Sequence, residues 1–368
     1  MRASSLCVLT GALALTAFGN AQAGAKIDID DTRWVSVGAG IRTSFTSVED
    51  GSPSGDERSS DFFLESTRLY LNAQLHEFIK LEFNTEIDEP LDFSDDDDVD
   101  IRVLDAIVKF EYNDYVNVWA GRHLPPSDRA NLDGPYYLNA WTFPIVQAYP
   151  AIFAGRDEGV LFHGQTGGGV FHYAFGVYDG IDGSSTPNQD DELLYAARFS
   201  YSFLDPEPGY YTTSSYFGAK DVLTLGVAMQ SQDDATGVMG DPGDFFGWNI
   251  DLLAEKKVFG TGAVSLEGAY YDYDHDDKAP FFGYQGDGYF VLVSFLAPQT
   301  LGIGQLQPHF RYQEVDDDNA ADRDQWEAGL GYIIDGQNAK VVLTYGETDV
   351  KDGGPTSDFV ILGAQLQI

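Results

Sequence analysis

Seven basic residues, Arg42, Arg68, Lys80, Lys109, Arg198, Arg311 and Lys340, fall on the polar positions of segments that alternate polar and apolar side chains. Glu82, Glu86, Asp105, Glu111, Asp251, Glu267 and Glu327 occupy the same kind of position. In an extended chain, residues two apart share a face. Cations and anions gathered on one face can steer ions, but they carry out no reaction step. A file of basic side chains on one face would draw anions along it. Opposed acids and bases instead set a transverse field and order water. Both arrangements stay open at this level.

Little else in the chain suits bond-making chemistry. Cys7 is the only cysteine and lies in the leader described below, so a chain without that leader has no disulfide, thiolate metal site or cysteine nucleophile. His76, His123, His163, His172, His275 and His309 form no HExxH motif and no close pair on one face. There is no G-x-S-x-G, and acids are too frequent for a pair of them to signal glycoside chemistry. The run Gly167, Gly168, Gly169 opens a strand rather than a helix, so it is no nucleotide loop. The reading is a protein that is not an enzyme and needs no cofactor.

The elements that position the charges are strands. Val35, Val37, Ala39, Ile41 and Phe45 alternate with Ser36, Gly38, Gly40, Arg42 and Ser44. Leu69, Leu71, Ala73 and Leu75 oppose Arg68, Tyr70, Asn72 and Gln74, and the segment after His76 and Glu77 repeats the pattern. Continued to Ile368, the period of two predicts about sixteen strands, near 33–47, 63–75, 78–88, 101–112, 115–123, 157–163, 169–178, 193–204, 222–232, 245–255, 262–273, 287–297, 305–315, 324–334, 339–348 and 358–368. Short turns alternate with long acidic loops, as in an up-and-down barrel with lipid outside and water inside. The fold class is all-β, a transmembrane antiparallel barrel. Its last strand places Val360, Leu362, Ala364, Leu366 and Ile368 on one face.

Two connections break the rhythm. Segment 124–156 is far too long for a hairpin and is rich in Pro, Gly, Tyr and Trp. It is the third long loop, and the favoured expectation is that it folds inward and constricts the barrel; the alternative is a loop packed over the barrel mouth or against a neighbouring subunit. Segment 205–221 is long where a short turn is due, and reads only as an elaborated turn.

Residues 1–23 read as a signal peptide, with Arg2, an apolar run at 6–18 and a small-residue site ending at Ala23. The barrel then occupies 24–368. Without Arg2 the chain carries 20 Lys+Arg against 59 Asp+Glu, a formal charge of −39. Nucleic acid is not an expected partner of so acidic a surface. Outer-membrane lipid and small ions or solutes are. Acidic runs at 95–98, 272–277 and 316–318 offer oxygen ligands to a cation such as Ca²⁺, but read first as a solvated rim. Trp34, Tyr112, Trp119, Tyr201, Trp248, Tyr270, Trp326 and Tyr345 read as interfacial girdle residues.

The opening DDTRWVSVGAGIRTSF, the stretches STRLYLNAQLHEFIKLEFNTEID and VLDAIVKFEYNDYVNVWAGRHLPPSDRANL, and GAKDVLTLGVAMQSQ resemble the phosphate-selective porin O and P family. The resemblance implies a sixteen-stranded, usually homotrimeric, outer-membrane diffusion channel, with an arginine ladder and a lysine cluster that guide anions. The chain departs from that pattern. Its third loop has no lysine, and acids share the inward positions.

The expected constriction comprises Asp128, Arg129, Asp133, Tyr136 and Trp141 on the loop. Facing them would be Arg42, Arg68, Lys80, Lys109, Arg198 and Arg311, with Arg122, Arg129 and Arg156 at or in the loop. The alternatives are a cation-leaning general porin, a barrel sleeve in a larger outer-membrane complex, and a soluble secreted β-rich protein.

Overall fold

The computed structural model describes residues 24–87, 91–92, 100–151 and 153–368. The leader at 1–23 and the acidic run at 95–98 lie outside the described residues.

Sixteen strands form one closed antiparallel barrel. They are β1 Trp34–Val48, β2 Asp61–His76, β3 Ile79–Ile87, β4 Ile101–Glu111, β5 Asn117–His123, β6 Asp157–Thr166, β7 Phe171–Tyr178 and β8 Leu194–Ser202. The second half comprises β9 Val222–Val238, β10 Asp241–Val258, β11 Gly262–Asp274, β12 Gly286–Leu296, β13 Gly304–Asp317, β14 Arg323–Asp335, β15 Ala339–Val350 and β16 Thr356–Gln367. Each strand pairs with its sequence neighbours, and β16 closes on β1 from Phe359 opposite Val48 to Gln367 opposite Gly40. Closure leaves no unpaired edge, which is what a sheet needs in hydrocarbon. Three short strands, Ala25–Asp28, Leu91–Asp92 and Thr300–Leu301, pair onto β1, β2 and β13.

The alternation read from the sequence sets the two faces. Val37 and Ile41 of β1 stand outside, 51% and 44% exposed, while Ser36, Arg42 and Ser44 are buried inside. Leu69 and Leu71 of β2, Val291 and Val293 of β12 and Leu362 and Leu366 of β16 continue the outer apolar surface. No helix among the described residues is long and apolar enough to cross a membrane. Crossing falls to the strands.

All sixteen predicted strands are present within a few residues, with three differences around them. The loop expected at 233–244 is mostly strand, because β9 and β10 run to Val238 and back from Asp241. Pairing is interrupted by a register shift between Gln232 and Thr236 and resumes from Thr236 opposite Gly243 to Val238 opposite Asp241. Trp119 belongs to no girdle. It is 4% exposed and faces inward, on the same side as its cross-strand partner Lys109. Finally, the third loop holds a five-residue helix, α1 Arg129–Asp133, whose N-cap Asp128 accepts from the Ala130 amide.

Candidate pore and its constriction

Segment 124–156 leaves β5 and returns at β6, and between them it crosses the lumen. Its carbonyls and side chains bind the inner wall almost all the way round. At the β16–β1 seam, the Arg42 guanidinium donates to Trp141 O at 2.6 Å and Gln365 donates to Tyr136 O at 2.8 Å. Trp141 Nε1 donates to Glu65 at 2.8 Å, and the Ser66 hydroxyl bonds Tyr136 Oη at 3.0 Å. Two glycines make room for these rings. A Cβ on Gly363 would lie 2.4 Å from Trp141 Cε2, and one on Gly40 would lie 2.9 Å from Tyr136 Cζ. Lys340 of β15 donates to Leu138 O at 2.6 Å.

The far wall holds the rest of the loop. Arg311 of β13 donates to both Thr142 O and Thr142 Oγ1 at 2.9 Å, and to Glu327 at 3.1 Å. Arg198 of β8 forks onto Asp251 at 2.5 and 2.9 Å and also donates to Ser127 O. Tyr271 of β11 donates to Asp128 at 2.7 Å. Val146 and Ala148 pack with Phe245, Tyr271, Tyr273 and Tyr284 in one buried cluster. This side of the lumen is therefore filled.

A second segment also enters. Residues 203–221, between β8 and β9, rise from the opposite end of the barrel and dock on the loop. Arg129 binds Glu207 with both nitrogens, at 2.8 and 2.5 Å, and the pair is sealed from solvent. Tyr210 donates to Leu124 O at 2.9 Å, and the Ser214 hydroxyl donates to Asp133 at 2.7 Å. Glu255 of β10 anchors the base of the turn by accepting from the amides of Tyr216 and Gly218 at 3.0 and 2.7 Å. Burial alone would raise the Glu207 carboxyl, but Arg129 outweighs it and holds the group below the usual carboxylate range. Burial raises Asp133 well above that range, and neighbouring Glu267 adds to the rise against Arg129. Burial likewise raises Asp128.

A cavity of about 570 Å³ remains open against β2, β3 and β4. Arg68, Glu82, Asp105 and Lys109 line its wall, and Asp133, Tyr137, Arg156 and Tyr211 line the side made by the two inserted segments. With Lys220 and Asp335 near the turns, four bases and four acids border it. Each base is engaged. Arg68 meets Glu86 at 2.7 Å, Arg156 meets Asp105 at 3.1 Å, Lys109 is paired with Glu82, and Lys220 donates to Pro206 O at 2.6 Å. No group of three or more His, Cys, Asp or Glu among the described residues is placed to hold a metal.

The family model for phosphate-selective porin O and P matches residues 35–368. The chain belongs to the phosphate-selective porin O and P family. It is an outer-membrane porin. Solved structures share its fold at low identity. Salmonella typhi OmpF in complex with daunomycin superposes with a TM-score of 0.61 at 11% identity, covering 94% of this chain and 100% of that one. OmpT of Vibrio cholerae in its trimer form gives 0.58 at 14%, covering 92% and 100%. The outer membrane channel DcaP of Acinetobacter baumannii gives 0.55 at 14%, covering 94% and 100%. No curated protein sequence matches the chain.

In this porin the residues expected at the constriction, Arg122 apart, divide into three groups. Arg68, Lys109 and Asp133 border the cavity. Lys80 faces inward but is paired with Glu111 on β4. Arg42, Asp128, Arg129, Tyr136, Trp141, Arg198 and Arg311 are all buried in contacts that hold the loop. The expected inward file of arginines is thus mostly a set of clamps. The assignment of Arg122 to the pore is corrected. It lies on the outer face of β5, where it pairs with Glu158 at 2.5 Å and donates to Val103 O. The strand runs on through His123, so Arg122 still obeys the alternation that points Trp119 inward. Glu82, Glu86 and Asp105 were legible as inward acids. Glu207 and Tyr211 were missed, although 205–221 shares the Pro, Gly and Tyr richness of the third loop.

Proposed function

We propose that this porin conducts small hydrophilic solutes and ions through one off-centre slit against β2–β4, and that its lumen is mixed in charge and only weakly selective. The observation that carries this is the pairing of every cavity-facing base with a carboxylate or carbonyl. A strongly anion-selective path needs basic charge that neighbouring acids do not balance. Phosphate preference, which the family name suggests, lacks that excess here, because three of the four bases meet a carboxylate.

Asp133 also borders the cavity without an ion pair among the described residues, but burial and Glu267 favour its neutral form, so it adds little charge of either sign to the slit. Pore-lining roles fall to Arg68, Lys109 and Asp133, with Glu82, Asp105 and Arg156 beside them. Assembly as a homotrimer is supported by the trimeric Vibrio cholerae structure. Export through a signal peptide cleaved near Ala23 fits the leader's composition.

The test is single-channel recording in planar bilayers across a salt gradient, with and without phosphate. Ohmic steps, a small reversal potential and no block by phosphate are expected. Strong anion selectivity with block at low phosphate would restore the ladder.

A further inference from the structure

We propose that the turn 203–221 is a second pore-narrowing insert, and that Glu207 is the positioning residue that latches it to the third loop through Arg129. The bore is then set jointly from both ends of the barrel. This rests on the diffusion reading above.

Three observations support it. First, the turn supplies a wall of the slit, since Pro208, Tyr211, Thr212 and Tyr216 all border the cavity. Second, the latch is buried and bidentate. Arg129 is 1% exposed, both its terminal nitrogens reach Glu207, and one also donates to Thr213 O at 3.1 Å. Tyr216 adds a bond to the same carboxylate at 2.9 Å, and Thr212 closes the contact by donating to Arg129 O at 3.0 Å. A bidentate guanidinium–carboxylate pair fixes orientation as well as distance. Third, the turn reaches past the latch. The Ser214 amide donates to Tyr137 O at 3.0 Å, so the tip of the turn holds the side of the loop that faces the slit. A turn that served only to connect β8 and β9 would need none of these contacts, because antiparallel neighbours can be joined by two residues.

The experiment uses the full chain, refolded and reconstituted, with the gel-mobility difference between folded and heat-unfolded barrel as the folding check. Wild type is compared with Glu207→Gln, with a turn shortened by removing residues 209–215, and with Tyr211→Ala, which leaves the latch intact. Single-channel conductance and the largest sugar admitted in liposome swelling are read for each. The expected result is higher conductance and a cut-off moved to larger sugars in all three, with Glu207→Asp closer to wild type than Glu207→Gln. Wild-type conductance and cut-off in the folded variants overturn the second constriction. Where Glu207→Gln does not fold, Tyr211→Ala and the shortened turn decide on their own. An absence of channels from folded wild type would instead overturn the diffusion reading itself.

Discussion

The Arg42 guanidinium lies 4.1 Å from the centroid of the Trp141 ring while donating to the Trp141 carbonyl at 2.6 Å. One side chain of the first strand thus holds both the ring and the backbone of the loop. Desolvated guanidinium–indole contacts are worth about 2 kcal/mol, and truncating a buried Trp costs roughly 3–5 kcal/mol. Trp141→Ala should free this end of the loop and raise open-channel noise and conductance while the barrel stays folded. Gly363→Val should do the same without touching either partner, because its side chain would occupy the space of the ring. Quiet, wild-type channels from both variants would dissociate the contact from pore geometry.

Buried and exposed ion pairs in this wall should differ sharply in what they hold. Arg198 and Asp251 are almost fully buried, and removing one partner of such a pair leaves the other charge uncompensated at a cost of about 3–5 kcal/mol. Glu158 is 49% exposed, so its pair with Arg122 is worth about 0–1 kcal/mol. Asp251→Asn should therefore lower the urea midpoint of the folded barrel far more than Glu158→Gln. Equal shifts would mean that the interior pair is well solvated.

Selectivity should respond in opposite directions to the two members of one pair. Lys109→Gln leaves Glu82 unpaired at the slit, and Glu82→Gln leaves Lys109 unpaired. An uncompensated charge about 8 Å from a passing ion contributes roughly 0.5–2 kcal/mol for dielectric constants between about 80 and 20. That corresponds to a permeability ratio changed about two- to thirtyfold, toward cations in the first variant and toward anions in the second. Reversal potentials in a salt gradient check it; no movement in either variant would remove both residues from the conduction path.

Asp133 and Glu207 should give stability opposite dependences on pH. The folded Asp133 carboxyl is raised above its unfolded value, so its contribution is full in acid and is lost as pH rises through the raised value. Glu207 is lowered, so its contribution is present above the unfolded value and is lost only as pH falls through the depressed one. Asp133→Asn should flatten the decline in stability on the alkaline side, and Glu207→Gln the decline in strong acid. Urea unfolding across pH reads both. Parallel profiles for wild type and Asp133→Asn would contradict the assignment.

The wall was legible because its physics is periodic. Outward Val37 and inward Arg42 obey the same alternation in the sequence and in the barrel. The third loop was legible through its length and composition. The duty of its partners was not. Arg42, Arg198 and Arg311 sit on the inner face as read, but whether such a group meets an ion or a loop carbonyl depends on how 124–156 folds, and no local pattern encodes that. Arg122 was misplaced because a charged residue beside a long loop looked like part of it, although the phase set by Trp119 points it outward. The entry of 203–221 left a compositional trace only, since its main contacts, such as Arg129 with Glu207, join residues far apart in the chain.

The loop straddles the line where the first and last strands meet, with Trp141 held by Arg42 on one side and Tyr136 by Gln365 on the other. It works there as an internal clasp. Parting the barrel along that line would pull the two holds in opposite directions, and the loop can keep both only while the two strands lie side by side. Sealing the wall and narrowing the bore are therefore a single act, so a barrel still open along its side has not yet gained its finished pore.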